Sequence, residues 1–365
     1  MSTITYKCPS CAAPLTYDGK SQKMECGSCG NAFDVDTVRQ IARIEQEDGQ
    51  YENMSWDARD EAFTPEEAAR TRLFSCSSCG AELFTDETTV ATNCAFCGSP
   101  SVIPAQFTLE TKPQEIIPFQ IEKAQAEQMF HDYFKNRKLI PNLFLTSRNV
   151  IDEIRQLYVP YWLFDCDADG RMTYRGTRIL TSRSGNYRVT TTQHYLIRRS
   201  GTLSFRKLPV DASTLIDNKI TESIEPFNTE QSLVFAPETL SGAQANRADV
   251  DAQTSQDRAN QRVKTSTLDA FRQTVSGYSS VIPQSASINL RNATSVPVLY
   301  PIWQITTKKG GNTYTFAING QTGELTCNIP WSKAKFFGRL FGMAGMAAAI
   351  GIAAMYALSS LGVIK

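Results

Sequence analysis

The chain has 365 residues, with 37 Lys+Arg against 37 Asp+Glu, 41% hydrophobic and 20% charged residues. This ordinary globular composition leaves room for two or three domains and excludes full-length disorder, a collagen-like rod and a disulfide mini-protein. Ten cysteines would suit a secreted framework, but the first residues, MSTITYKCPS, show no signal-peptide pattern, so we expect a reducing compartment. His131 and His194 are the two histidines, which largely excludes multi-histidine metal centres and catalysis.

The neutral total hides an asymmetry of charge along the chain. Residues 1–104 hold 8 basic and 16 acidic side chains and are formally −8, so residues 105–365 are +8. An acidic N-terminal part therefore precedes a basic body.

Eight of the ten cysteines form four CxxC pairs. They are Cys8/Cys11, Cys26/Cys29, Cys76/Cys79 and Cys94/Cys97. Each half has the spacing C-x2-C-x14-C-x2-C, and the second half follows the first at an offset of 68 residues. The same offset aligns Asp18 with Asp86 and Leu15 with Leu83, which indicates an internal duplication of a whole supersecondary unit.

Two CxxC turns joined by a short hairpin place four thiolates around one metal ion, and this spacing predicts two structural four-cysteine zinc ribbons. Four thiolates leave no open coordination position for catalysis. Because apolar residues are few in each ribbon, we expect the metal to supply most of the folding free energy, on the order of 10 kcal/mol. Rubredoxin-like iron and redox-active CxxC pairs remain as alternatives. Gly30, Gly80 and Gly98 follow their CxxC pairs, whereas Ala12 stands at the first one.

Residues 37–73 are strongly acidic and contain two helical signals. Val38, Ile41 and Ile44 share one helix face, and Thr64-Pro65-Glu66-Glu67 is typical of a capped helix start. The segment is interpreted either as a solvated spacer or as an acidic docking peptide for a basic partner or for the body of the same chain.

The ribbons themselves are acidic. Side chains make residues 1–36 formally −1 and residues 74–104 formally −3, before the formal −2 of each zinc-tetrathiolate centre. Nucleic-acid affinity depends mainly on Lys and Arg contacts to phosphate, so the ribbons favour protein partners.

Residues 105–332 read as an α+β body. The pattern predicts a helix over 121–137, β-structure after Tyr158 and a long polar helix over 243–275. Aromatic and β-branched residues alternate with polar residues through 158–169, 171–180, 187–198 and 202–208.

The body contains a strongly basic stretch with interleaved tyrosines and no acidic residue between 171 and 210. Its basic residues are Arg171, Arg175, Arg178, Arg183, Arg188, Arg198, Arg199, Arg206 and Lys207. This composition suits single-stranded nucleic acid, an anionic lipid surface or the acidic N-terminal part, or it is a solvated sheet face without a ligand. Cys166 lies between Asp165 and Asp167, whose charges are expected to raise its pKa and oppose reactivity; the role of Cys327 stays open.

Residues 340–364 are 25 consecutive uncharged residues, which as a helix extend for about 37 Å against a hydrocarbon core of about 30 Å. They predict one transmembrane helix; a buried soluble helix is the alternative. Trp331 marks an interface, and Lys333, Lys335 and Arg339 precede the span while Lys365 follows it. The positive-inside rule then keeps the body in the cytosol. The spacing Gly338-x3-Gly342 would permit close helix packing and an oligomer.

Motifs of the common enzyme classes are missing: no GxSxG, HExxH or GxGxxG occurs. The sequence offers no credible catalytic constellation, so we expect a protein that is not an enzyme.

The segments CPSC, CGSC, CSSC, CAFC, IIPFQIEKAQAEQMF and VPYWLFDCDADG, with the apolar C-terminal segment, resemble a family of bacterial membrane proteins. Its members carry tandem transcription-factor-IIB-type zinc ribbons and are often labelled primosomal protein N′ or superfamily II helicase. The helicase label implies a phosphate-binding loop and motor domains that this sequence lacks. The resemblance implies partners from a membrane-stress module with phage-shock-protein-A-like and SPFH-domain proteins.

Together these patterns predict an α+β protein with five segments. They are zinc ribbon 1 (1–36), the acidic linker (37–73), zinc ribbon 2 (74–104), the body with an antiparallel sheet (105–332) and the basic flank with its transmembrane anchor (333–365). The predicted function is a zinc-ribbon adaptor on the cytosolic face of the inner membrane, with two structural Zn²⁺ ions. The alternative is a membrane-tethered nucleic-acid-binding protein related to replication or transcription.

Overall fold

The structure is a computed structural model and describes residues 6–106, 111–136, 154–309, 312–327 and 332–360. It mixes helices with mainly antiparallel sheets, brings the cysteines into two groups of four and ends in one apolar helix. The predicted α+β fold class is therefore confirmed. The side chain of Ile44, together with Trp331 and Lys365, lies outside the described residues.

The strands are β1 (Thr16–Asp18), β2 (Lys23–Glu25), β3 (Ala32–Asp34), β4 (Asp57–Ala58), β5 (Glu61–Ala62), β6 (Thr71–Cys76), β7 (Glu82–Asp86), β8 (Val102–Ala105), β9 (Thr111–Lys112), β10 (Glu115–Ile116), β11 (Ile154–Ser184), β12 (Tyr187–Asp211), β13 (Leu233–Val234), β14 (Gln244–Asn246), β15 (Ser280–Lys309), β16 (Asn312–Asn319) and β17 (Leu325–Cys327). The helices are α1 (Val35–Tyr51), α2 (Pro65–Ala69), α3 (Lys123–Asn136), α4 (Asn218–Ser223), α5 (Ala252–Gln273) and α6 (Lys333–Ser360), with 3-10 turns at Thr229–Gln231 and Pro237–Leu240.

The chain divides into two compact units that do not follow its linear order. Unit 1 contains Met1–Asp60, Trp162–Val210 and Val250–Val296; unit 2 contains Glu61–Tyr161, Asp211–Asp249 and Pro297–Lys365. Residues expected to form one body thus contribute to both units. The reason is the length of β11, β12 and β15, which have 31, 25 and 30 residues and each pass from one unit into the other.

Unit 1 has a core between its long strands and α5. Buried Cys166, Met172 and Tyr174 of β11 belong to the same cluster as Val263 and Phe271 of α5. The helix lies so close that a Cβ on Gly170 would come within 2.8 Å of the Phe271 ring. Helix α5 is shorter than the predicted helix over 243–275. The reason is that Gln244–Asn246 forms strand β14 and that the helix begins after its N-cap Asp251.

The middle of the acidic linker packs within unit 1. The Trp56 ring lies 4.9 Å from Phe164, edge to face, and its Nε1–H donates to Asn260 at 2.7 Å. The Asn53 N–H donates to the carbonyl of Ile288, and the Leu290 N–H donates to the carbonyl of Asn53. Strand β4 pairs with β15 in parallel. Residues 52–58 are thus part of the folded unit.

Unit 2 has two adjoining aromatic and aliphatic clusters. In one, α3 packs Phe130 and Phe134 on Phe316 of β16, with ring centroids 4.9 and 5.6 Å apart. Ala126 of the same helix is buried, whereas Ala124 is exposed. In the other cluster, side chains of β6 and β7 pack with residues from β10, β11 and β15.

Most of helix α6 is exposed: Lys335 is half-buried, and every residue from Phe336 to Met355 is exposed. Its stretch Lys333–Met355 is long and apolar enough to cross a membrane, and none of it is buried in the rest of the chain. A buried soluble helix, the alternative considered from the sequence, does not match this exposure.

Replacing Trp56 tests whether the linker holds unit 1 together. Trp56→Ala removes the contact with Phe164 and is expected to lower the free energy of unfolding by about 2 kcal/mol, since the ring is only partly buried. Trp56→Phe keeps most of the packing but loses the hydrogen bond to Asn260, so the free energy of unfolding is expected to fall by about 1 kcal/mol. Urea unfolding measures both; equal stability of all three proteins would show that the linker is not docked.

Candidate metal centres

The first cysteine group lies beside a small three-stranded sheet of β1, β2 and β3. Sγ of Cys8 lies 3.6 Å from Sγ of Cys29, and Sγ of Cys11 lies 3.4 Å from Sγ of Cys26. All four sulfurs are within 4.8 Å of one another. Cysteines 21 and 15 residues apart in sequence are thus brought together by one hairpin.

The second group repeats this arrangement between β6 and β8. Sγ of Cys76 lies 3.7 Å from Sγ of Cys97, and Sγ of Cys79 lies 3.6 Å from Sγ of Cys94. Again all four sulfurs are within 4.8 Å. Every cysteine predicted as a ligand is therefore in one of two four-sulfur groups.

Both groups match the size of a tetrahedral metal site. A metal–sulfur distance of about 2.3 Å in a tetrahedron separates the sulfurs by about 3.8 Å. The closest sulfur pairs span 3.4 to 3.7 Å, so a small inward or outward adjustment accommodates the ion. Each group can hold a metal ion, and an all-sulfur tetrahedron suits zinc or iron.

Four identical backbone turns hold the sulfurs. In each, the residue after the CxxC pair donates its N–H to the carbonyl of the first cysteine at 2.8–2.9 Å. The donors Ala12, Gly30, Gly80 and Gly98 have φ values of 63°, 71°, 76° and 74°. Ala12, which departs from the glycine pattern, adopts the same left-handed conformation, at a cost of about 1 kcal/mol relative to glycine.

The duplication extends beyond the cysteines. The Asp18 carboxylate accepts the N–H of Ser21 at 2.8 Å, and the Asp86 carboxylate accepts the N–H of Thr89 at 2.9 Å. The residues of the second bond follow those of the first by 68 positions, which is the same offset that relates the two sets of cysteines. The hairpin turn was therefore repeated together with the sulfur groups.

The thiols of each group differ in acidity. Burial raises the pKa of Cys8 to about 12, while the backbone N–H of Cys29 is the main cause that lowers the pKa of Cys26 to about 6. In the second group burial raises the pKa of Cys79 to about 11. Burial also opposes ionisation of Cys76, but N–H groups of Cys79 and Ser78 and the neighbouring thiols lower its pKa to about 7. One thiolate thus forms readily in each group, and a cation is needed to hold four negative charges together.

The two ribbons differ in how they are supported. Ribbon 1 has its own small cluster, with Leu15, Met24 and Val38 packed around Cys8 and Cys26. Phe84 of ribbon 2, together with Leu73 just before the ribbon, belongs to a core of unit 2. Because the strands of ribbon 2 pack against distant residues, we expect the metal to supply a smaller share of the folding free energy there than in ribbon 1.

A strand from a distant part of the chain explains this difference. In ribbon 1, β2 pairs with β1, with Thr16 opposite Glu25. At the equivalent place in ribbon 2, β14 pairs with β7, with Ala245 opposite Phe84. The Gln244 side chain accepts the N–H of Ala95 at 3.2 Å and donates to the carbonyl of Asn93 at 2.9 Å. Sequence analysis missed Gln244, since nothing in QAN within a helix-like polar segment marks a strand.

The structure places the predicted basic residues along one hairpin of unit 1, formed by β11 and β12. Several of them bond to the fold. Arg175 donates to the carbonyl of Ser10 beside the first sulfur group, Arg199 bonds to Thr274, and Arg206 forms an ion pair with Asp167 at 2.7 Å. Arg171, Arg198 and Lys207 also make interactions within the fold. Arg178 donates to the carbonyl of Gly277. Arg183 and Arg188 are exposed near the end of the hairpin.

Cys166 is buried in the core of unit 1. Burial is the main cause that raises its pKa to about 12, and the carboxylates of Asp167 and Asp165 add to it while Arg206 opposes it. The predicted direction is confirmed, although burial and not the acidic neighbours is the larger cause. Cys327 is half-buried, and its sulfur lies 3.2 Å from the hydroxyl of Tyr133.

Unit 2 also has an open cavity of about 580 Å³. Its ionisable lining residues are Glu122, Lys123 and Arg155, beside Gln244 and Trp303. This described lining contains no cysteine, histidine or aspartate.

The chain is similar to the "Uncharacterized protein YdjG" of Bacillus subtilis strain 168. The two are 30% identical over 342 residues, which is 94% of each chain. No family model matches the chain, and no solved structure matches it.

Metal analysis of the purified chain tests both sulfur groups. We expect two metal ions per chain, and one after either Cys11→Ser or Cys79→Ser, because three sulfurs no longer complete the tetrahedron. Cys327→Ser, outside both groups, is the control and should retain two. One ion or none in the unaltered chain would contradict the assignment.

Chelation should affect the two ribbons differently. After metal removal, we expect amide hydrogen exchange in β1–β3 to reach the rate of an unfolded chain, since ribbon 1 has only its own small cluster. Strands β6 and β7 should stay protected by the core of unit 2. Equal loss of protection in both ribbons would show that burial does not support ribbon 2.

Thiol labelling follows from the same burial pattern. In the folded, metal-loaded chain at pH 8, Cys327 is expected to react first with a thiol reagent, because Cys166 is buried with a pKa of about 12 and the ribbon sulfurs hold metal. Mass spectrometry locates the label. Labelling of Cys166 at a similar rate would contradict the buried position of that thiol.

Proposed function

The chain belongs to the family of the Bacillus subtilis protein YdjG, and we propose that it is a membrane-anchored, cytosol-facing adaptor whose two zinc ribbons recruit protein partners to the membrane. The observation that supports this most is the combination of two four-sulfur groups with one exposed apolar helix on the same chain. One end is built for recognition and the other for attachment.

Zinc is the proposed ion at both sites, with a structural role. Four thiolates saturate a tetrahedral zinc ion, so no position is left for water or substrate. Zinc also brings no redox chemistry of its own. Its contribution in each ribbon is to fix two turns and the loop between them, which gives a rigid surface for binding.

Charge favours protein partners over nucleic acid at the ribbons. Residues 1–36 and 74–104 are formally −1 and −3, and a zinc-tetrathiolate centre adds a formal −2 to each. Phosphate groups would be repelled by such a surface. The partners suggested by the family resemblance are phage-shock-protein-A-like and SPFH-domain proteins of a membrane-stress module.

The proposed attachment is a single pass of α6 through the cytoplasmic membrane. Lys333, Lys335 and Arg339 lie at its N-terminal end, and a positively charged flank stays in the cytosol. Residues before Lys333 are then cytosolic. Gly338 and Gly342 lie one turn apart on the exposed helix, where they would permit close contact with a second transmembrane helix.

A second candidate is a membrane-tethered nucleic-acid-binding protein. The observation that favours it is the exposed pair Arg183 and Arg188, which lies within the stretch 171–210 that has no acidic residue. The other basic residues of the hairpin do not support nucleic-acid binding, because Arg175, Arg199 and Arg206 already bond to groups within the fold.

Purification from membranes separates the two candidates. The full-length protein is extracted in mild detergent, with and without nuclease, and whatever stays bound through a salt wash is identified. For an adaptor, nuclease-resistant proteins should remain and should be lost with Cys11→Ser or Cys79→Ser. Comparing these two variants assigns the partner to ribbon 1 or ribbon 2.

The control Cys327→Ser should keep the partners, because its sulfur belongs to neither group. Co-purified nucleic acid that disappears with nuclease, and with Arg183→Gln/Arg188→Gln, would overturn the adaptor proposal. It would make the basic hairpin the functional surface. An unchanged set of proteins in both ribbon variants would show that recognition lies outside the sulfur groups.

A further inference from the structure

The end of the β11–β12 hairpin extends beyond the core of unit 1. Every residue from Arg178 to His194 is exposed, and we call this segment the arm. Before the arm, Met172 and Tyr174 of the same strand are buried in the core. The arm is therefore an isolated two-stranded hairpin that packs on no core. Such a hairpin is only marginally stable in water unless another surface covers it.

The base of the arm is held firmly. The Arg178 guanidinium donates to the carbonyl of Gly277 at 3.1 Å and lies 5.6 and 5.8 Å from the ring centroids of Tyr195 and Tyr278. The Ile179 N–H donates to the hydroxyl of Ser279 at 3.1 Å. The arm thus projects from a fixed root.

The turn defines which side chains share a face. Gly185, with φ 59°, and Asn186 form a two-residue turn, which places Ser184 opposite Tyr187 and Arg183 opposite Arg188. The same count places Asp169 opposite Thr202, and their side chains are hydrogen-bonded at 2.5 Å. By alternation, Arg183 and Arg188 share one face.

The opposite face is apolar near the turn. Alternation assigns Leu180, Tyr187 and Val189 to it, and these side chains are 48%, 78% and 45% exposed. Exposed apolar residues on an isolated strand pair favour association with another surface. A solvated polar arm would not need them.

The arginine pair points to an anionic surface. Two like charges directly opposite each other destabilise a hairpin, and neither the Arg183 nor the Arg188 guanidinium has a hydrogen bond or ion pair with the part of the chain that the structure describes. No acidic residue occurs between positions 171 and 210. The destabilisation is removed when anionic groups lie beside both arginines.

We propose that the arm inserts its turn into the headgroup region of an anionic lipid bilayer, with Arg183 and Arg188 on lipid phosphates and Tyr187 with Val189 in the interface. Leu180 and Val189 favour lipid over nucleic acid, since aliphatic side chains have no partner on a phosphodiester backbone. Tyrosine and arginine are common at this depth. The arm would be a second membrane contact in addition to the proposed anchor α6. This proposal rests on the proposed function in one respect, because α6 is what brings the arm close to a bilayer.

Tyr187→Trp places a reporter at the turn. The full chain is reconstituted into vesicles of phosphatidylcholine alone or mixed with phosphatidylglycerol, with brominated acyl chains as quencher, and the emission of the unaltered chain is subtracted. We expect the added emission to shift to shorter wavelength and to be quenched only with phosphatidylglycerol. Adding Arg183→Gln/Arg188→Gln should reduce the insertion equilibrium constant about 30-fold, from about 1 kcal/mol for each arginine near an anionic surface.

The matched control is Arg183→Lys/Arg188→Lys, which keeps both charges and should keep the quenching. Identical emission in both lipids would overturn the proposal, as would a shift produced only by a single-stranded oligonucleotide. Flotation with pure phosphatidylcholine vesicles reports α6 separately. If the chain does not float there, anchoring fails, and flotation with phosphatidylglycerol vesicles that depends on the same arginines still decides the role of the arm.

Discussion

The fold depends on the hydrogen-bonding requirement of two very long strands. β11 and β15 have 31 and 30 residues, and buried backbone N–H and C=O groups along such lengths must all be paired. The two long strands are neighbours in one sheet and pair with each other, and other segments of the chain pair with them along the rest of their length. β10, β4 and β16 also pair with β15, while β12 and β14 also pair with β11. Short strands from distant parts of the chain therefore pair with the long strands. As a result, each of the two units contains several separate segments of the sequence.

This interleaving gives the two sulfur groups different surroundings. The groups themselves are copies, with the same turns and the same aspartate hydrogen bond at Asp18 and Asp86. Ribbon 1 completes its own sheet, whereas ribbon 2 takes β14 as the neighbour of β7. A copied motif can thus serve two purposes. The cysteines of ribbon 1 lie in its own small cluster, whereas the strands of ribbon 2 contribute to the core of unit 2.

Charge is distributed to match these roles. The acidic linker does not remain apart from basic residues: Glu67 pairs with Lys112 at 2.6 Å, and Glu52 pairs with Lys264 at 3.1 Å. On the hairpin, the carboxylates of Asp167 and Asp169 bond to Arg206 and to Arg291. At the arm, Arg183 and Arg188 have no carboxylate partner among the described residues, and the sequence did not distinguish these two arginines from the other basic residues of the stretch.

The sequence by itself determined both four-cysteine groups, their duplication, the capped helix at Thr64 and the apolar C-terminal helix. These are local features: ligand spacing, helix caps and a long uncharged run act over a few turns of chain. Only the tertiary structure decided the roles of Trp56, Gln244 and Arg183. Each depends on a partner, or on the lack of one, that tertiary packing sets: Trp56 and Gln244 bond to residues more than 140 positions away, while the fold leaves Arg183 beyond its core. The length of α5 was misjudged for the same reason, because pairing with β7 and β11 outweighs the weak helical preference of residues 244–246.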